Sequence, residues 1–115
     1  MDVSSVADVV VARIDGEIDI SNAQELGDAL IASVTNDAVG VVLDLSELAY
    51  LDSAGVHLLV RLLRQLRTRR QQLRAVAPAE APIRRVLGLT AVDTMLPVDE
   101  TAEAALLAMQ PAAAG

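Results

Sequence analysis

Residues 39–63 read VGVVLDLSELAYLDSAGVHLLVRLL, and this stretch decides the fold. Val39 to Leu45 is an aliphatic run rich in β-branched residues, the pattern of a buried strand, with Asp44 near its C-terminal end. Ser46 to Leu51 reads as a loop with apolar plugs at Leu48 and Leu51. A long helix opens at Asp52-Ser53. Val56, Leu59, Val60 and Leu63 form one stripe, which Leu58, Leu62 and Leu66 widen until the helix must be covered on more than one side. In an open α/β sheet, ligand and partner sites gather where strands end and helices begin. The amides of a first helical turn have no intrahelical partner and the dipole there favours negative charge, so a hydroxyl at Ser53 stands where a phosphate is tolerated. Gly55, without a side chain, is expected to let another protein approach the turn. The plainer reading makes Asp52 or Ser53 an ordinary N-cap worth about 1 kcal/mol. Spacing alone favours the plainer reading, since an exposed Asp-Ser pair before an amphipathic helix is common.

Working outward, Val9 to Ile14 is a buried strand, with Val3 to Val6 a candidate for an earlier one. Asp15-Gly16 is a strong turn pair, so Glu17-Ile18-Asp19-Ile20 is expected to follow a hairpin or tight bend. Ser21-Asn22-Ala23-Gln24 matches a capping box, and Ala23, Leu26, Leu30 and Val34 share a helical face, which predicts a helix of about four turns ending near Asn36-Asp37. Beyond the central stretch, Leu73 to Val76 is a third strand. Ile83 to Leu87 is a short helix ending at Gly88 as its C′ residue. Leu96-Pro97-Val98 is an edge strand, since proline cannot donate to a ladder. Asp99 is expected to cap a last helix with Ala102, Ala105, Leu106 and Met109 on one face, stopped by Pro111, with Ala112 to Gly115 a frayed tail. Alternating strands and helices predict an α/β fold with a mixed sheet of four or five strands and helices mainly on one face. At 115 residues the chain is expected to be one domain, residues 1–115 with a core over about 6–110.

Composition narrows the function. Sixteen acidic against nine basic residues, all arginine, give a net charge of −7, which opposes nucleic acid and anionic membrane surfaces as partners. There is no cysteine, which excludes disulfides and thiolate chemistry, and one histidine, His57, so no multi-histidine metal site forms within the chain. Hydrophobic residues make up 53% of the chain and the sole aromatic is Tyr50, so the core is aliphatic and base-stacking surfaces are missing. The apolar runs fall far short of the roughly 18–20 residues of a spanning helix, and Met1 to Ser5 lacks the charged and apolar regions of a signal peptide, which predicts a cytoplasmic protein.

Asp44-Leu45-Ser46 followed by Leu51-Asp52-Ser53-Ala54-Gly55-Val56 resembles the signature of STAS domains, specifically the bacterial anti-sigma-factor antagonists. Gly16-Glu17-Ile18-Asp19 is similar to the family's segment before the first helix, and Val86 to Thr90 through Leu96-Pro97-Val98 to its closing segment. The resemblance implies that Ser53 is phosphorylated by an anti-sigma factor that is itself a serine kinase. It further implies that the unphosphorylated protein binds that kinase and frees the sigma factor, and that a serine phosphatase reverses the mark. It implies no enzyme activity, no cofactor and no metal for the chain itself. The implied partner surface comprises Glu17, Asp19, Asp52, Ser53, Ala54, Gly55 and His57, with oligomeric state left open. In two places the chain departs from the family pattern. Ala54 replaces a second hydroxyl residue, leaving Ser53 as sole acceptor, and Ala91 stands where many members have glycine. Rivals within the fold are a STAS subunit of a lipid-transport complex and a STAS regulator without phosphorylation.

Three other constellations have plainer readings. Asp52, Ser53 and His57 could be drawn as a hydrolase trio, but an aspartate adjacent to the serine is badly placed to orient the histidine, and no oxyanion donors are identifiable. Asp15, Glu17 and Asp19 alternate as a strand face would, which suggests either a cation site or a solvated face. The arginines from Arg61 to Arg74 read as a solvated helix end rather than a nucleic-acid helix. A phosphate at Ser53 would add a charge of about −1.5 to −2 and act at the interface rather than on the fold. A loss of about 3 kcal/mol there weakens binding more than a hundredfold.

Overall fold

The computed structural model describes residues 1–109, so the expected stop at Pro111 and the tail beyond it lie outside the described residues. In chain order the elements are β1 (Asp2–Val6), β2 (Val9–Arg13), β3 (Gly16–Ile18), α1 (Ala23–Ser33), β4 (Gly40–Asp44), β5 (Leu48–Leu51), α2 (Ser53–Thr68), β6 (Gln72–Val76), α3 (Pro82–Leu89), β7 (Val98–Asp99) and α4 (Ala102–Met109), with a 3-10 turn at Val92–Thr94. Five strands form one sheet in the order β1-β2-β4-β6-β7. β1 runs antiparallel to β2 and the remaining pairs are parallel, so the α/β fold with a mixed sheet is as expected.

The two faces of this sheet bury different helices. Val10, Ala12, Val41, Leu43, Leu73 and Ala75 point into the larger core, against leucines of α2 and residues of α1 and α3. Val9, Val42 and Val76 point the other way, where Ala105 and Met109 of α4 cover them. Ala102 and Leu106 pack against the same cluster, so the face read for the last helix is the one α4 uses. In α2, Leu58, Leu59, Leu62, Leu63 and Leu66 are all buried. Full burial of such a side chain stabilises by about 1.5–3 kcal/mol relative to exposure, so α2 is the main anchor of the domain.

Local chemistry differs from the sequence reading at several points. The hairpin that makes the sheet mixed turns at Ala7-Asp8, both with positive φ (50° and 65°), rather than at Asp15-Gly16. Gly16, at φ 80°, instead swings the chain off the main sheet into β3. The segment taken as a loop between Ser46 and Leu51 contains β5, which pairs in parallel with β3 as a separate two-stranded ribbon. Ser21 does not cap α1. Its amide and hydroxyl are both donated to the Asp19 carboxylate, so the N-cap falls to Asn22, and α1 ends at Ser33 short of Asn36-Asp37. Asp99 does not cap α4, because its carboxylate takes two bonds from Arg74 at 2.7 and 3.1 Å and clamps β7 to β6. Thr101 takes the capping role, its Oγ1 accepting from the Ala104 amide at 3.0 Å. Pro97 precedes β7, which lies at the sheet edge as proline requires.

Gly88 lies inside α3, and the left-handed residue that follows the helix is Ala91, at φ 60°. That conformation costs a residue with a Cβ about 1–2 kcal/mol, and glycine avoids it while giving back part of the gain as chain entropy. Ala91→Gly is therefore expected to stabilise the protein by about 0.5–1 kcal/mol in urea denaturation. An unchanged or lower midpoint would show that Ala91 is not strained.

Candidate functional site

The site is built where the β3–β5 ribbon hands the chain to α2. At the end of β4, Asp44 Oδ1 accepts from the Ser46 amide at 3.0 Å and its hydroxyl at 2.6 Å, which turns the chain out of the main sheet. β5 then runs beside β3 with Glu17 opposite Tyr50 and Ile18 opposite Leu51. The Asp52 amide extends this pairing by donating to the Ile18 carbonyl at 3.1 Å. One carboxylate oxygen of Asp52 accepts from the amides of Ala54 at 2.8 Å and Gly55 at 3.1 Å, so Asp52 is the N-cap.

Gly55 is buried. A Cβ built on it would lie 2.8 Å from Leu51 Cβ and 3.1 Å from the Ile18 carbonyl oxygen. The expectation that this glycine opens the turn to a partner is thereby corrected. Its missing side chain faces inward and lets α2 sit down on the ribbon. Ser53, the first residue of α2, is exposed, and Ala54 is half-buried.

The preceding turn is pinned beside this one. Asn22 Oδ1 accepts from the Asp19 amide at 2.9 Å, and Asn22 Nδ2 donates to the Glu17 carbonyl at 2.8 Å. The Ser21 hydroxyl and amide on the Asp19 carboxylate, joined by the Asn22 amide, hold that carboxyl below its ordinary value of 3.8. Because the folded value is depressed, this contribution to stability is present above the unfolded carboxylate range and is lost as pH falls through the folded value.

Two depressions border the first turns of α2 and share His57. On the α1 side a hollow of about 260 Å³ is lined by Ile20, Ala23, Ala54, His57 and Arg61. On the α3 side a groove of about 380 Å³ is lined by Tyr50, Ser53, Val56, His57, Val86 and Leu89. Ile20, Leu89 and Tyr50 are exposed at 86%, 76% and 48%, which leaves apolar surface in both depressions. Ile20 and Leu89 were not legible as site residues. Ile20 lies in the turn between β3 and α1 and Leu89 ends α3, and only the tertiary fold brings the two segments to α2.

The structure brings Glu17, Asp19, Asp52, Ser53, Ala54 and His57 to one end of the molecule. It does not assemble the hydrolase trio, since the Asp52 carboxylate is committed to the amides of its own turn. Asp15, Glu17 and Asp19 do not form a cation cluster, and among the described residues no group of three acidic or histidine side chains could hold a metal ion. Within the arginine run, Arg74 is bound to Asp99. Arg69 donates to Val34 O and Asn36 Oδ1, each at 3.0 Å, and Arg61 lies 3.7 Å from Asp28. Among the described residues no helix is long and apolar enough to cross a membrane.

The family model for the STAS domain matches residues 1–105. BtrV of Bordetella bronchiseptica, named as a candidate anti-sigma factor antagonist, is 30% identical over 104 residues, covering 90% of this chain and 89% of its own. The crystal structure of an anti-sigma factor antagonist from Mycobacterium paratuberculosis is similar at 31% identity and a TM-score of 0.82, covering 95% of this chain and 92% of that one. A Thermotoga maritima protein described as a candidate anti-sigma factor antagonist superposes with a TM-score of 0.84 over 96% of this chain and 94% of that one. Its identity is 23%, so the likeness is one of fold.

Two outcomes test this geometry. Gly55→Ala is expected to lower stability by about 1–3 kcal/mol in urea denaturation, and an unchanged midpoint would contradict the inward packing. In an NMR titration the Asp19 carboxyl is expected to titrate below 3.8 and to move back toward that value in Ser21→Ala. A midpoint that Ser21→Ala leaves in place would remove the serine as the cause.

Proposed function

The chain belongs to the STAS domain family, and on that premise we propose that it is an anti-sigma-factor antagonist switched by phosphorylation of Ser53. Unphosphorylated, it binds an anti-sigma factor that is also a serine kinase, and the sigma factor is released. Phosphorylated, it lets the kinase go, and a serine phosphatase restores it. These steps take place in the cytoplasm. The chain is a regulatory domain and not an enzyme, and the catalysis belongs to its partners.

The observation that carries this reading is the exposed Ser53 on the first turn of α2, in a groove it shares with the exposed Tyr50 and Leu89, with the exposed Ile20 in the neighbouring hollow across His57. A patch of that kind suits a protein partner, since apolar surface drives association and its polar rim sets register. Glu17, Asp19, Asp52 and His57 supply that rim. A phosphate at its centre brings a charge of about −1.5 to −2 next to the Asp52 carboxylate. Any partner would have to desolvate both. The fold has no reason to change, because Ser53 is exposed and its neighbours hold their bonds without it.

The test is incubation with the cognate anti-sigma kinase and ATP, followed by peptide mass spectrometry. A single phosphate on Ser53 is expected. Ser53→Ala is expected to remain unmodified and to keep binding the kinase. Phosphate appearing on Ser53→Ala would overturn the assignment of the acceptor.

A further inference from the structure

We propose that His57 is the group within this chain that holds the phosphoryl group of Ser53, as a charge-assisted hydrogen bond across one turn of α2. The inference rests on the reading of Ser53 as the phosphorylated residue and extends it to what the phosphate meets. Two of the first-turn amides that a phosphate at a helix N-terminus would ordinarily take are engaged, since Asp52 already accepts from Ala54 and Gly55. With those two amides taken, a side-chain donor on the same face adds to what the turn offers a phosphoryl group on Ser53.

His57 is placed to be that donor. It lies four residues on from Ser53, so the two Cβ atoms are about 5–6 Å apart on one helical face. Helical side chains lean toward the N-terminus, which tilts the imidazole over Ser53 rather than away from it. Both side chains line the same open groove, and among the described residues lining it His57 is the only base. The other groups around His57 do not compete for the role. Asp52 and Tyr50, at the β5 end, are an acceptor and a phenol. Thr90 beyond α3 and Gln24 on α1 are neutral. Arg61 and Arg64 lie further along α2, with Arg61 drawn toward Asp28 on α1. Arg61 is eight residues from Ser53, a rise of about 12 Å that its side chain cannot span.

Histidine ordinarily titrates near pH 6.5 and the second phosphoserine proton near pH 6, so the two titrate as a coupled pair. The phosphate favours the imidazolium and the imidazolium favours the dianion. The bond is fullest between the two displaced midpoints. It fades above the raised histidine midpoint and below the lowered phosphate midpoint. In the window between, the imidazolium offsets part of the new charge, and at higher pH the phosphorylated surface presents all of it.

The experiment uses the protein with phosphoserine installed at position 53 during synthesis, so that no kinase enters. The His57 imidazole and the phosphoserine phosphorus are followed by NMR over about pH 5 to 8. The His57 midpoint is expected about one pH unit higher in the phosphorylated protein than in the unphosphorylated one. The phosphoserine midpoint is expected to rise in His57→Gln and to stay low in His57→Lys, which keeps a cation on the same face. A His57 midpoint equal in the two forms, or a phosphoserine midpoint unmoved by His57→Gln, overturns the pairing without touching the reading of Ser53. Kinase treatment that leaves Ser53 unmodified overturns that reading instead.

Discussion

The seating of the first turn of α2 on the β3–β5 ribbon is the contact on which the functional end of this protein depends. The Asp52 amide donates to the Ile18 carbonyl at 3.1 Å, and Gly55 packs where a Cβ would lie 2.8 Å from Leu51. These two contacts join the ribbon, which Gly16 and the Asp44–Ser46 turn lead off the main sheet, to the start of α2. They also set which side chain is presented. Asp52 turns back onto its own amides, Gly55 faces inward and Ala54 is half-buried, which leaves Ser53 standing out. The buried leucines of α2 hold the rest of the helix against the sheet, so the turn is fixed from both ends.

A hydroxyl on so well supported a turn can change charge without changing the fold. The chain already carries a net charge of −7, and a phosphate on Ser53 would add to that field beside the Asp52 carboxylate and the exposed Tyr50 and Leu89. The aliphatic character of the chain extends to this surface, where Ile20 and Leu89 are exposed and Tyr50 is the sole aromatic ring of the chain. Binding through such a band depends on dry contact, which a hydrated dianion at its centre denies to the partner.

What the sequence made legible was whatever spans enough residues to show a period. The sixteen-residue α2, its Asp52 cap, the buried β4, the edge position near Pro97 and the buried face of α4 all follow from pattern and local chemistry. The β3–β5 ribbon was hidden because strands of three and four residues carry too little periodicity to register. The hairpin at Ala7-Asp8 lacks the glycine or asparagine that marks such turns, and Ala91 takes a left-handed conformation that alanine seldom adopts. Ser21 was misplaced as a cap because Asp19 competes for its donors, a local exchange that spacing does not reveal. Gly55 was correctly singled out for the wrong reason, since sequence shows that a side chain is missing and not which way the space faces.

In the reading proposed above, the surface around Ser53 binds a partner and a phosphate on that serine closes it. Calorimetric titration of the cognate anti-sigma kinase with the protein bearing phosphoserine at position 53, beside the unmodified protein, tests it most directly. Binding is expected to weaken by about a hundredfold or more in the phosphorylated form, with both forms unfolding at the same urea midpoint. Equal affinities for the two forms, or a loss of binding matched by a loss of folded stability, would contradict it.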